Sequence, residues 1–348
     1  MRLRVCVLAV SLGLSAVRIA SAQQTEILHA QLTTHAANHG LGSELDAIER
    51  SGGPVWVGYS IPVMDHFQSG WNSDPVAYLE GEEHSGSYRN ATSNDAQDHA
   101  VVLLKVVGGA VDKLRIESPN RQLDAGGLRF VWLTDVKPLD SIAILKGVAM
   151  ADESKRLRDS AVLLIALHRA PEATSTLVAL AAPANDLELR ERAAFWLANQ
   201  RGKEGFAAIQ RLAREDADPR FREKLTIDLT LSKEPAALEE LIRMAHVDAS
   251  SQVRKQAQFW MATRGGKQVA GDLRSSTAND PDKQVRRSAV FGLSRLPGDE
   301  AATQLMEVAG SSKDPEVRKQ AVFWLGQSSD PRALEYLTKL LQLNSTRQ

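Results

Sequence analysis

Six arginines, Arg158, Arg190, Arg222, Arg254, Arg286 and Arg318, recur at one constant interval without a slip, each inside a similar local phrase. A fixed period of about 32 residues marks one unit copied six times, and a unit so short cannot bury an apolar face by itself. An apolar residue precedes each arginine: Leu157, Leu189, Phe221, Val253, Val285, Val317. Three positions after it comes a residue that is small in every copy but the third: Ala161, Ala193, Leu225, Ala257, Ala289, Ala321. Seven after it comes a large apolar one: Ile165, Leu197, Leu229, Met261, Leu293, Leu325. That is helical spacing. A second stripe opens at Ala173, Gly205, Ala237, Val269, Ala301 and Ala333 and resumes one helical turn later at Leu177, Ile209, Leu241, Leu273, Leu305 and Leu337. Each unit therefore predicts two short amphipathic helices, and the units must stack into an alpha solenoid. Asp218 before Pro219 and Asp314 before Pro315 read as an N-cap followed by proline at the first helical position.

The phrase Asp314, Pro315, Val317, Arg318, Ala321, Leu325, followed by Asp330, Ala333 and Leu337, resembles the HEAT repeat, in particular the short variety of the phycobilisome lyases. The resemblance covers about residues 154–343. It implies that the repeated arginine and an aspartate near the preceding turn form a ladder between layers, at Arg190, Arg222 and Arg318, with Arg254 and Arg286 in the same row. A longer period, twice the short one, overlies it in Phe195–Trp196, Phe259–Trp260 and Phe323–Trp324, with Asp228 and Gly292 in the intervening tryptophan positions. Trp196, Trp260 and Trp324 are read as packing wedges between layers, against the alternative of a ligand stripe.

Residues 1–22 have the form of a signal peptide: Arg2 and Arg4, an apolar run over 5–17, and Ala20-Ser21-Ala22 before Gln23. A periplasmic or secreted location follows as the expectation. Cys6, the only cysteine, lies in that segment, so the mature chain has no thiol for a disulfide, a thiolate metal site or a nucleophile. Removing the segment takes three of the 42 basic residues and no acid, leaving 39 against 43 acidic. Such a balance argues against nucleic-acid or anionic-lipid binding, and no other stretch is long and apolar enough to span a bilayer.

The remaining front of the chain divides into a helical segment over 23–53 and a β-rich domain over 54–138, the solenoid taking 139–348. Ile27, Leu28, Leu32, Leu41, Leu45 and Ile48 supply the helical reading. Short β-rich runs at 55–61, 76–79, 101–107, 111–116 and 128–133 predict a small antiparallel sheet, with Gly108-Gly109 as a hairpin turn. Nearly half of the aromatic residues fall between Trp56 and Trp132, and the polar stretch 81–98 reads as a long loop. Asp140 is read as the N-cap of a helix running to Met150. The fold class is thus α+β, an all-α HEAT-like solenoid behind a small antiparallel β-rich domain. A phrase like Trp56-Val57-Gly58-Tyr59 ahead of repeats with an alternating Phe-Trp is similar to a group of exported bacterial HEAT-repeat proteins.

Glycine-rich phosphate loops, Gly-x-Ser-x-Gly and His-Glu-x-x-His are absent from the sequence. His35 and His39 have ligand spacing on a helix, but two histidines do not make a site. No catalytic residue, cofactor or metal is assigned. What remains is surface: on the second helices Arg211, Ile242, Arg243, Arg274, Met306, Tyr336 and Lys339 fall between buried positions and mix charge with large apolar groups, a texture suited to a protein partner. The reading is a non-enzymatic protein-binding scaffold. The alternatives are an enzyme or enzyme-associated factor related to the HEAT-repeat lyases, or a small-molecule or metal binder in the β domain.

Overall fold

The computed structural model describes residues 25–67, 76–80, 97–151 and 154–345. The chain runs β1 (Ile27–Leu28), β2 (Gln31–Ala36), α1 (Leu41–Arg50), β3 (Val55–Phe67), β4 (Val76–Tyr78), β5 (Gln97–Val107), β6 (Ala110–Glu117), β7 (Gln122–Asp124) and β8 (Arg129–Thr134). Helix α2 (Pro138–Met150) follows. Six pairs come next: α3 (Lys155–Leu167) with α4 (Glu172–Leu180), α5 (Leu187–Gln200) with α6 (Gly202–Glu215), and α7 (Pro219–Leu231) with α8 (Ala236–Val247). The last three are α9 (Ser251–Gly265) with α10 (Ala270–Asn279), α11 (Lys283–Ser294) with α12 (Glu300–Ser311), and α13 (Pro315–Gly326) with α14 (Pro331–Ser345). The fold is α+β, a HEAT-like solenoid behind a strand-containing region.

Each copy of the repeat forms one pair, and consecutive first helices pack on one another from α3 through α13. The apolar stripes are the reason: Leu189, Leu197, Leu225, Leu241, Leu273 and Leu305 are all buried in one continuous core. Asp218, Asp282 and Asp314 cap α7, α11 and α13 through their side chains, with Pro219 and Pro315 at the first helical turn. Gly292 marks a close approach, since a Cβ there would lie 2.8 Å from Leu273 Cδ2.

The front of the chain differs from the sequence expectation in three ways. Within 23–53 only α1 is helical among the described residues, and 27–28 and 31–36 are strands. β2 is exposed along most of its length, so its sequence carries no alternation to reveal it. The sheet is also mixed, not antiparallel. Its order is β2-β8-β3-β5-β6, with β8 parallel to both β2 and β3, while β1-β7-β4 form a second, wholly parallel sheet. Parallel pairing joins segments far apart in the chain and leaves no local signal, unlike the β5–β6 hairpin, whose Gly108 and Gly109 take φ of 57° and 85°. Finally, Lys137, not Asp140, is the cap residue of α2, because Pro138 occupies the first turn and places Asp140 inside it. The signal segment and residues 81–96 of the polar loop lie outside the described residues.

Alternation along the strands ties the two halves together. Val55, Val57, Tyr59, Ile61 and Val63 on β3, with Val102 and Leu104 on β5, join the core that continues into α2 and α3. Trp56, Val101, Leu103 and Phe130 face the other way, onto Leu123 and Ala77 of the small sheet.

Candidate functional site

The arginine row is a ladder with a different partner from the one expected. Arg222, Arg254, Arg286 and Arg318 each donate to the carbonyl of the turn before them, at Asp216, Asp248, Asp280 and Ser312. The carboxylate, however, comes from the following turn. Arg158 meets Asp186 at 3.2 Å, Arg222 meets Asp248 at 2.8 Å, Arg254 meets Asp280 at 2.8 Å and Arg286 meets Asp314 at 2.9 Å, while Arg190 pairs with Asp216. A planar guanidinium has donors on two edges, so one edge closes its own turn and the other reaches the next layer. Burial would raise the Asp248 carboxyl, but the bonds from Arg222 and the Ser250 N–H hold it below the usual carboxylate range. Arg190 also lies 4.0 Å above the Phe221 ring.

Two further arginines that carry no period-wide signal stitch layers from the other end of the first helices. Arg201 donates to the carbonyls of Ala166 (3.1 Å), His168 (2.7 Å) and Ala170 (3.1 Å). Arg264 does the same for Leu229 (3.1 Å), Thr230 (2.8 Å) and Glu234 (3.2 Å). Both satisfy carbonyls left open at a helix C-terminus.

The second-helix face, where the candidate partner residues lie, is partly occupied by its own charges. Arg243 and Arg214 both donate to the buried Glu240, each at 2.6 Å, with Gln210 at 3.2 Å. Arg274 pairs with Glu307 across a layer, and Lys339 with Glu335 at 2.6 Å along one helix. Arg211 is exposed, while Ile242, Met306 and Tyr336 are half-buried and packed against the core. Three of the seven candidates thus tie up local carboxylates, and four remain for outside contact.

The tryptophans lie on the first helices. Trp196, Trp260 and Trp324 are half-buried, pack on the core and meet the preceding phenylalanine edge to face at 4.9, 4.8 and 5.1 Å. Among the described residues their indole N–H groups have no acceptor, and neither oxygen of buried Asp228 meets a donor. Burial pushes the Asp228 carboxyl up to about 7.

At the junction of the two halves, Tyr59, Ser141 and His168 form a buried chain. The Tyr59 hydroxyl lies 2.9 Å from Ser141 Oγ, which lies 2.9 Å from His168 Nε2, and His168 Nδ1 is 2.7 Å from the Leu164 carbonyl. Nδ1 therefore carries the proton, Ser141 donates to Nε2 and Tyr59 donates to Ser141. Burial moves the His168 pKa down to about 4 and the Tyr59 hydroxyl upward. Since none of the three is exposed, the chain anchors the sheet to the solenoid and offers no reactive group to solvent.

In the β domain a cleft of about 270 Å³ is lined by Gln31, Leu32, Thr33, Ile48, Ser51, Val55, Arg129 and Val131. Arg129 is held by Ser51 Oγ at 2.9 Å and by the Gly52 carbonyl. His35 and His39 do not share a helix. His35 is on β2, and the two approach Glu44 at 3.1 and 3.9 Å.

Residues 272–347 match the HEAT-repeat family, a span that covers the end of the fourth copy and the fifth and sixth. No curated protein matches the sequence. Among solved structures, human deoxyhypusine hydroxylase in complex with glycerol is similar at 16% identity over 57% of this chain and 77% of its own, with a TM-score of 0.32. The complex of CpcE and CpcF of phycocyanin lyase from Nostoc sp. PCC7120 is similar at 23% identity over 45% of this chain and 99% of its own, with a TM-score of 0.34. Cex1p is similar at 15% identity over 59% of this chain and 45% of its own, with a TM-score of 0.38. At such values the likeness carries neither an activity nor a partner to this chain. No helix among the described residues is long and apolar enough to cross a membrane.

Proposed function

We propose that this protein is a non-enzymatic scaffold of the cell envelope, exported by its amino-terminal segment 1–22, that holds a protein partner against the second-helix face of the solenoid and the β-rich domain. The observation that carries this reading is the double locking of the frame. Largely buried ion pairs fix layer to layer, and the Tyr59–Ser141–His168 chain fixes the sheet to the first layer. Surface groups on such a frame keep constant spacing, so a partner meets them without an ordering cost. Arg211, Ile242, Met306 and Tyr336 mix one cation with apolar area, which suits a protein surface better than a polyanion.

Capture of envelope proteins on the wild-type chain and on Arg211→Glu, a change at an exposed position, tests the proposal. Loss of a specific partner at unchanged melting temperature supports the face; identical capture by both chains counts against it. Export is tested separately by mass spectrometry of the recovered protein, which should begin at Gln23. A second reading, a small ligand in the β domain, draws on the cleft with Arg129 at its wall, and Arg129→Met should then abolish binding of small carboxylates without affecting partner capture.

A further inference from the structure

The residue directly after each ladder arginine carries a pattern of its own. It reads Asp159, Glu191, Glu223, then Lys255, Arg287, Lys319: three acids followed by three bases, with the change of sign at the middle of the solenoid. One turn further along each first helix, on the same helix face, stand Leu163, Phe195, Ile227, Phe259, Phe291 and Phe323. The outer face of the first-helix layer is therefore an apolar stripe flanked by a charge row that is antisymmetric about the boundary between the third and fourth copies.

The structure shows which part of this stripe is available. Leu163 is buried, and α3 packs against β6, so the first copy is covered. From α5 to α11 the stripe residues are half-buried; Phe323 is 53% exposed and Leu231, one turn beyond Ile227, is 37% exposed. Phe259 and Phe291 stack with ring centroids 6.1 Å apart, and Phe291 contacts Trp324 at 5.2 Å, so the rings form a continuous ribbon across layers. Two of the charges have neighbours within the chain, Asp159 with Arg192 at 2.7 Å and Arg287 with Glu316 at 2.6 Å. Glu191, Glu223, Lys255 and Lys319 form no ion pair with another described residue.

We propose that the outer face binds a second copy of this chain in an antiparallel, two-fold arrangement. A two-fold axis at the boundary between copies three and four carries copy two onto copy five and copy three onto copy four. Glu223 then faces Lys255 of the second copy, and Glu191 faces its Arg287. Between the charge rows Ile227 lies on Phe259 of the second copy and Phe195 on its Phe291, an apolar centre with a charged rim. Parallel alignment sets acid against acid and base against base, so the charge row selects one orientation as well as one partner. The second-helix face stays open on both copies.

Sedimentation velocity on the full chain should show a concentration-dependent dimer that weakens as salt is raised. Glu223→Lys and Lys255→Glu should each weaken dimerisation at least about 10-fold at unchanged melting temperature, and mixing the two variants should restore a heterodimer. A cysteine-based arm needs no loss of binding. With Cys6, the only native cysteine, replaced by serine, Glu223→Cys and Lys255→Cys chains should cross-link when mixed, whereas neither should cross-link alone. A monomer at all concentrations, a dimer indifferent to both charge reversals, or cross-linking of Glu223→Cys chains with one another overturns the proposal.

Discussion

Replacing Asp228 by asparagine should flatten the pH dependence of the solenoid's stability. Asp228 lies on α7 in the position that holds Trp196 one copy earlier and Trp260 one copy later, wholly buried and with no donor to either oxygen among the described residues. Burial raises its carboxyl from 3.8 to about 7; Lys224 on the same helix pulls it down, and Glu191 on α5 adds to the rise. The folded state therefore holds this proton more tightly than the unfolded chain does. Its contribution is complete below the unfolded carboxyl's 3.8 and is lost as the pH climbs through about 7. Over that window the loss runs at about 1.4 kcal/mol per pH unit and reaches about 4 kcal/mol. Asparagine keeps the shape and never ionises. Urea unfolding followed by tryptophan fluorescence, at half-unit steps from pH 4 to 8, should give coincident midpoints at the acid end and an Asp228→Asn chain more stable by about 4 kcal/mol above pH 7. Parallel midpoint curves for the two proteins over the whole range would refute the reasoning.

Three other outcomes follow from the same geometry. Arg254→Ala strands Asp280 in the interior and should cost about 3–5 kcal/mol, while Arg318→Ala, which gives up a bond to the Ser312 carbonyl, should cost about 1 kcal/mol; equal losses in chemical denaturation would contradict the ladder. Trp260→Ala removes a half-buried ring packed on the core and should cost about 3 kcal/mol, and a melting curve matching wild type would overturn the packing reading in favour of a ligand stripe. His168 has its pKa lowered from 6.5 to about 4 by burial, so its contribution is complete above 6.5 and fades as pH falls towards 4; its ring proton resonances should not titrate between pH 7 and 5.

The solenoid is legible in the sequence because every layer makes the same demands: small at the helix crossing, large in the gap, arginine at the start. Less visible was the partner of that arginine, since the receiving carboxylate is 26 residues on in the second, third and fourth copies and 28 in the first and fifth, which blurs its period. The expectation that it lay at the preceding turn took one edge of the guanidinium for the other. Strands β1 and β2 were hidden for a different reason: Ile27, Leu28 and Leu32 fit a helical spacing, and only pairing with residues 123–124 and 129–134 makes them strands. Of the candidate partner residues, Arg243 could not have been recognised as engaged, because it and Arg214 converge on Glu240 through burial and not through any sequence motif.

The ladder also makes the length of this molecule quantised. Asp216, Asp248 and Asp280 each receive the arginine of the layer before and, through the same carboxylate, bind the N–H two residues on that shapes their own turn. These three middle joints are thus interchangeable with one another, while the first and fifth use the N-cap aspartates Asp186 and Asp314 two residues further on. Excising residues 223–286 would fuse Arg222 to Arg287, bring the Asp314 turn to the place of the Asp248 turn, and leave two acids and two bases in the outer charge row. A cut of anything but a whole number of repeats would put the apolar stripe out of register with the layer beneath it and part the arginine from the turn that receives it.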